Sequence, residues 1–220
     1  MSCPGSSTGI SGEARTGEGI GAAGAASSCR PVPAGRPSKG ERKMDGNAGF
    51  QAFGRNYASE REAIVGLIDI LRAEESAAGR AIASWVTVCK DPYLRGGLAW
   101  VAQRESFHGD VFGQRLRELG EAWQAVPGAY RGADYDACLA DPSVPDAVKM
   151  ARLVGGLGDT EAVIAPVREF AERIVDDPET REALRLYCED EISSGRWLCE
   201  ACDRLGVAHD GPSMMTADAA

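Results

Sequence analysis

The sequence predicts an all-α fold: an antiparallel four-helix bundle made of two related helix hairpins joined by a long crossover. Three observations carry that expectation. Apolar residues recur three and four apart through four long segments, the spacing that keeps them on one side of a helix. The second and the fourth segment each open on Asp-Pro and close on Leu-Gly. A shift of 86 residues lays the first hairpin on the second, placing Glu75 on Glu161, Asp91-Pro92 on Asp177-Pro178, Arg95 on Arg181, Leu98 on Leu184, Glu105 on Glu191 and Gly109 on Gly195.

The first predicted helix runs from Ser59 to about Cys89. Ser59 and Glu62 form a capping-box pair at its start, and Ile64, Ile68, Leu71, Ala78, Ile82, Trp85 and Cys89 define its apolar face. Asp91 as N-cap and Pro92 at the first helical position open the second helix. That helix buries Leu98, Val101, Phe112, Leu116 and Leu119 and stops at Gly120. A crossover of about 23 residues, Glu121 to Ser143, is rich in Gly, Pro and Asp. The third helix is predicted from about Pro145 to Asp176, with Met150, Val154, Leu157, Ile164, Ala171 and Val175 inward. Gly155, Gly156 and Gly158 weaken it, and Pro166 removes an internal hydrogen bond, which predicts a kink. Asp177-Pro178 opens the fourth helix, whose face is Leu184, Tyr187, Leu198, Cys202 and Leu205 and whose end is Gly206. Residues 1–48, a Gly/Ala/Ser/Pro stretch without periodicity, read as a disordered tail, with Met44 marking an alternative start; residues 49–206 read as the bundle and 207–220 as a disordered polar tail.

At 44% apolar residues the chain can bury a substantial core, and its net charge of −9 disfavours nucleic acid or an anionic membrane as partner. No apolar run approaches the ~20 residues that span a bilayer, and no basic segment followed by an apolar one opens the chain. These absences lead to the expectation of a cytoplasmic protein. The odd count of seven cysteines argues against a disulfide framework.

The chemistry lies in what interrupts the apolar stripes. Glu75 falls between Leu71 and Ala78, Glu105 and His108 between Val101 and Phe112, Glu161 between Leu157 and Ile164, and Glu191 between Tyr187 and Leu198, with Ser194 three residues on. A lone buried carboxylate costs several kcal/mol or takes up a proton, and four converging ones also repel one another. A multivalent cation removes both problems, since carboxylate oxygen and imidazole nitrogen are good ligands for iron, manganese or zinc. Glu105 and His108, three apart on a helix, point the same way and can share one ion.

In chain order these residues read Glu75, Glu105-Ser-Phe-His108, Glu161, Glu191-Ile-Ser-Ser194. This resembles the ferritin-like superfamily, rubrerythrin-type members most, whose ligands run Glu, Glu-x-x-His, Glu, Glu-x-x-His. Asp177-Pro178-Glu179-Thr180 followed by Glu189-Asp190-Glu191 is similar to the last helix of that family, and the resemblance covers residues 59–206. It implies a non-haem metal centre, iron first, acting on oxygen or peroxide. Glu105 and His108 would anchor the firm metal, Glu75 would be a terminal ligand, and Glu161 and Glu191 would bridge or complete a second position. Pairing into a homodimer through outer helix faces is a further implication. The departure is Ser194, which stands where the second histidine belongs. Two ions, one ion and a metal-free bundle serving as a structural or interaction module are all compatible with the set. Cys199-Glu-Ala-Cys202 lacks the second pair that a zinc or rubredoxin-type iron site needs, and reads as ordinary helix residues. Trp85, Trp100, Trp123 and Trp197 read as packing residues, and Tyr187 as a core neighbour of Glu191.

Overall fold

The computed structural model describes residues 49–128, 132–155 and 159–209, so the two predicted tails lie outside it but for Val207, Ala208 and His209. The described chain is 74% helical, with six helices and one small sheet. A hairpin, β1 (Phe50–Ala52) and β2 (Arg55–Tyr57), leads into α1 (Glu60–Val88), α2 (Pro92–Glu118), α3 (Gly132–Ala140), α4 (Asp146–Val154), α5 (Thr160–Glu172) and α6 (Pro178–Leu205). None of these helices is long and apolar enough to cross a membrane.

The caps follow the sequence. Ser59 Oγ accepts from the Glu62 amide at 3.1 Å, while the Glu62 carboxylate accepts from Ala58 N, one residue earlier than a capping box requires. Asp91 accepts from the amides of Tyr93 and Leu94, and Asp177 from that of Thr180. Gly120 and Gly206 close α2 and α6 with φ of +74° and +66°, and the amides beyond them return to Leu116 O and Cys202 O at 2.9 Å.

α1 and α2 pack most extensively, and α5 packs on α6. Both pairs run antiparallel and both depend on glycine where the backbones approach. A Cβ on Gly79 would collide with Ser106 Oγ, and one on Gly109 with Ser76 Oγ; on α6, a Cβ on Gly195 would collide with Thr160 of α5. The repeat-matched Gly109 and Gly195 thus hold the same kind of position in each hairpin. α6 also packs on α2 and α4, and α3 on α1.

Several expectations need correction. The third long helix is two helices, α4 and α5. Asp159 restarts the chain as an N-cap, its Oδ1 accepting from Glu161 N at 3.1 Å, so the local cap overrides the longer periodicity. α5 runs through Pro166 and stops at Glu172, which leaves Val175 75% exposed; Leu157 lies outside the described residues. The crossover carries α3, and the segment before α1 forms a hairpin whose Phe53-Gly54 turn has positive φ at both residues. Trp100 is not a packing residue but stands 71% exposed. Trp123, half exposed, lies beneath Arg72 and Arg117.

The start of the crossover is tied to α1 by a buried acid that periodicity did not single out. Asp69 Oδ2 accepts from the amides of Gln124 and Ala125 at 2.9 and 2.6 Å. Arg72 bridges Asp69 Oδ1 (3.0 Å) and Ala125 O (2.7 Å). Burial alone would raise the Asp69 pKa, but these donors hold its carboxyl below the usual range.

The core divides into two apolar clusters. One contains Ile64, Ile68, Phe112, Leu116, Leu184 and Tyr187; the other contains Ile82, Trp85, Leu94, Leu98, Leu198 and Cys202. Along α1, α2 and α6 alike, polar side chains lie between the clusters, among small residues such as Ala73, Ala78, Gly109 and Gly195: Glu75, Glu105 with His108, and Glu191 with Ser194. A polar layer therefore cuts across the middle of the apolar interior.

Candidate metal centre

Each side chain of the layer sits near the centre of a long helix, where neighbouring turns are covered on both sides. Glu75, Glu105, His108 and Ser194 are buried, at 6, 8, 4 and 3% exposure, and Glu191 is half-buried. Carboxylate and imidazole occur at such depth only with partners.

Three of these residues converge. Glu75 Oε2, His108 Nδ1 and Glu191 Oε1 lie within 4.8 Å of one another, each from a different helix. The Nδ1 atom is 3.3 Å from the Glu191 oxygen and 3.7 Å from the Glu75 oxygen. Yet all three atoms are buried without a partner in hydrogen-bonding geometry. The two carboxylate oxygens stand within ion-pairing distance of Nδ1 without meeting its hydrogen-bonding angles. Ligand atoms of a single ion with bonds of about 2.0–2.2 Å stand roughly 3–3.6 Å apart, so a small contraction closes the set on a cation. The donors, two carboxylates and one imidazole, suit iron, manganese or zinc.

The surroundings orient the three. Tyr187 donates its hydroxyl to Glu75 Oε1 at 3.0 Å, leaving Oε2 to the cluster. The Tyr187 ring stands edge-on to His108, centroids 5.0 Å apart. His108 Nε2 is 3.2 Å from Asp190 Oδ2. In the neutral ring a proton on Nε2, held by Asp190, leaves the Nδ1 lone pair for the cluster; metal-bound histidines are commonly fixed in this way. Glu105 adjoins the Glu75 carboxylate and helps to hold its pKa down. Glu105 is buried in the same layer but is not among the three residues whose ligand atoms converge.

Electrostatics reflect the crowding. Burial alone would lower the His108 pKa, but Glu191, Glu75 and Asp190 hold it up at about 9. Burial and the Glu75 charge raise Glu191, against the pull of His108 and Arg104. Burial likewise raises Glu75, but His108, Glu105 and Tyr187 outweigh it and hold the group low. Burial and the neighbouring carboxylates push the Tyr187 phenol well above its ordinary value.

Glu161 is not part of this layer. It lies in the first turn of α5, its side chain 59% exposed, paired with Arg196 at 3.3 Å. The Asp159 cap places it at a helix N-terminus facing solvent, where a carboxylate is favoured by the unpaired amides. Its partner in the repeat, Glu75, occupies the middle of an unbroken 29-residue helix. Sequence reasoning missed the role of Asp190, which has no place in the apolar stripe; the run Glu189-Asp190-Glu191 was the available signal. Burial disfavours a thiolate at Cys199 and Cys202. Burial pushes the Cys202 thiol up to about 11 and raises Cys199 as well.

A cleft of about 520 Å³, lined by Phe107, Val111, Phe112, Leu186 and Tyr187, reaches His108 and Asp190 from the α2–α6 surface. No family model matches the chain, and no curated protein and no solved structure matches it.

Proposed function

We propose that the chain is a non-haem metal-binding protein of ferritin-like type, its helices forming a four-helix bundle whose third member is the broken pair α4–α5. The metal, iron by the resemblance, is held by Glu75, His108 and Glu191. The observation that carries this reading is the convergence, within 4.8 Å, of three buried ligand atoms that make no hydrogen bond. Bound iron would supply redox chemistry toward oxygen or peroxide. The chain's own part is to present His108 through Nδ1 with Asp190 behind it, to aim Glu75 through Tyr187, and to keep bulk water out with the two apolar clusters. The cleft beside Phe107 and Leu186 gives a small apolar molecule access to the edge of the site. Anaerobic loading with ferrous iron tests the reading: wild type retains metal after desalting and His108→Ala loses it. Equal, near-zero metal in both ends the proposal.

One observation favours a second reading. His108, protonated up to about pH 9, is itself a cation among Glu75, Glu191 and Asp190. A metal-free bundle could hold its acids in this way and serve as an interaction module. That reading predicts that chelator leaves the melting temperature unchanged and that added metal does not raise it.

A further inference from the structure

Where a second Glu-x-x-His would carry its histidine, α6 carries Ser194, and Arg104 of α2 reaches into that position. Its Nη1 donates to Ser194 Oγ at 3.0 Å and to Asp190 O at 3.1 Å, and its Nε lies 3.6 Å from Asp190 Oδ1. The guanidinium therefore spans the turn of α6 that presents Glu191, and its charge acts on the Glu191 carboxyl. Ser194 is 3% exposed and the Arg104 side chain 26%, so the guanidinium reaches a buried hydroxyl from the edge of the bundle. The other acid that a second ion would need, Glu161, is on the surface with Arg196.

We infer that Arg104 stands in for a second metal ion: the centre takes one divalent ion on Glu75, His108 and Glu191, and the guanidinium is a permanent cation beside Glu191. The inference rests on the metal-binding reading above and specifies it. A guanidinium keeps its charge at every accessible pH and carries five donors in a rigid fork. It meets the need of the acids for positive charge without any ligand beyond a hydroxyl and a carbonyl. A divalent ion entering there would have to expel Arg104, and a neutral serine hydroxyl is a poor replacement donor. The site that resembles a dinuclear one in sequence thereby takes a single ion, with Ser194 and Arg104 in contact where the second would lie.

The test is a count of manganese(II) bound per full-length chain by equilibrium dialysis, with the electron paramagnetic resonance spectrum of the bound ion. Wild type is expected to bind one ion with the six-line spectrum of an isolated manganese. Ser194→His with Arg104 intact is expected to bind one, and Ser194→His combined with Arg104→Gln to bind two, with the spectrum broadened by coupling. Two ions in wild type or in Ser194→His alone overturn the inference, as does a single ion in a double variant that circular dichroism shows to be folded. Should the double variant not fold, the counts on wild type and Ser194→His decide. No ion at all in wild type instead ends the metal-binding proposal on which this one stands.

Discussion

Asp190 offers a graded test of how the centre is organised, because it touches the histidine and is not itself a ligand. Its Oδ2 lies 3.2 Å from His108 Nε2, and its side chain is 41% exposed at the mouth of the cleft. Removing the carboxylate frees the Nε2 proton and lets the ring change tautomer, which turns Nδ1 away from its role as ligand. Loss of such outer partners typically costs 10–100-fold in metal affinity. Here water can enter from the cleft and replace part of the bond, so the lower end applies: about tenfold for Asp190→Ala, or ~1.4 kcal/mol. Asp190→Asn keeps a neutral acceptor. Charge-assisted hydrogen bonds are roughly twice as strong as neutral ones, so about half the effect remains, a loss of roughly threefold. The bonds of Arg104 to Asp190 O and Ser194 Oγ survive both substitutions, which limits the structural side effect. The assay is zinc binding in competition with a chromophoric chelator at fixed pH. Affinities of both variants within a factor of two of wild type, or Asn weaker than Ala, would refute the tautomer argument.

Other consequences are open to test. Asp69→Ala removes the acceptor of two backbone amides and of Arg72, so a loss of about 2–4 kcal/mol in urea unfolding is expected. Because the folded Asp69 pKa is depressed, that stabilisation is present above the unfolded value near ~3.9 and disappears as pH falls through the folded value; acid titration of wild type and variant should therefore converge at low pH. His108 runs the other way. Its folded pKa is raised to about 9, so its contribution in metal-free protein is complete below ~6.5 and is lost as pH rises through 9, at most on the order of 3 kcal/mol. Urea melts between pH 6 and 10 should show that fall without metal and not with saturating zinc. Gly109→Ala forces a methyl group against Ser76, whose backbone N is 3.0 Å from the new atom; a loss of about 1–3 kcal/mol in thermal or urea unfolding is expected, and a change below 0.5 kcal/mol would mean that the helices part freely.

Much of the fold was legible because its signals are local. Ser59, Asp91 and Asp177 cap helices and Gly120 and Gly206 end them, as residue type and position require. The stripes of α1, α2 and α6 run along uninterrupted helices, and most of their apolar residues are buried. The third helix was misread for the same reason that the others were read well: periodicity spans a gap that one cap interrupts. Asp159 competes locally with the helix and wins, which moves Glu161 from an expected interior position to a solvent-facing first turn. Glu75 and His108 were visible as polar breaks in apolar stripes. Asp190 and Arg104 were not, because each lies off the stripe of its own helix and gains its role from the packing of α2 on α6. Asp69 was missed likewise, since its partners are backbone amides more than fifty residues away.

X-ray absorption at the zinc edge of the loaded protein tests the central claim most directly. Convergence of Glu75, His108 and Glu191 on one cation predicts an all-nitrogen/oxygen shell at about 2.0–2.2 Å with the multiple scattering of a single imidazole, which disappears in His108→Ala. Sulfur scattering near ~2.3 Å, which would place the ion on Cys199 and Cys202, or a shell of oxygens with no imidazole, would contradict it.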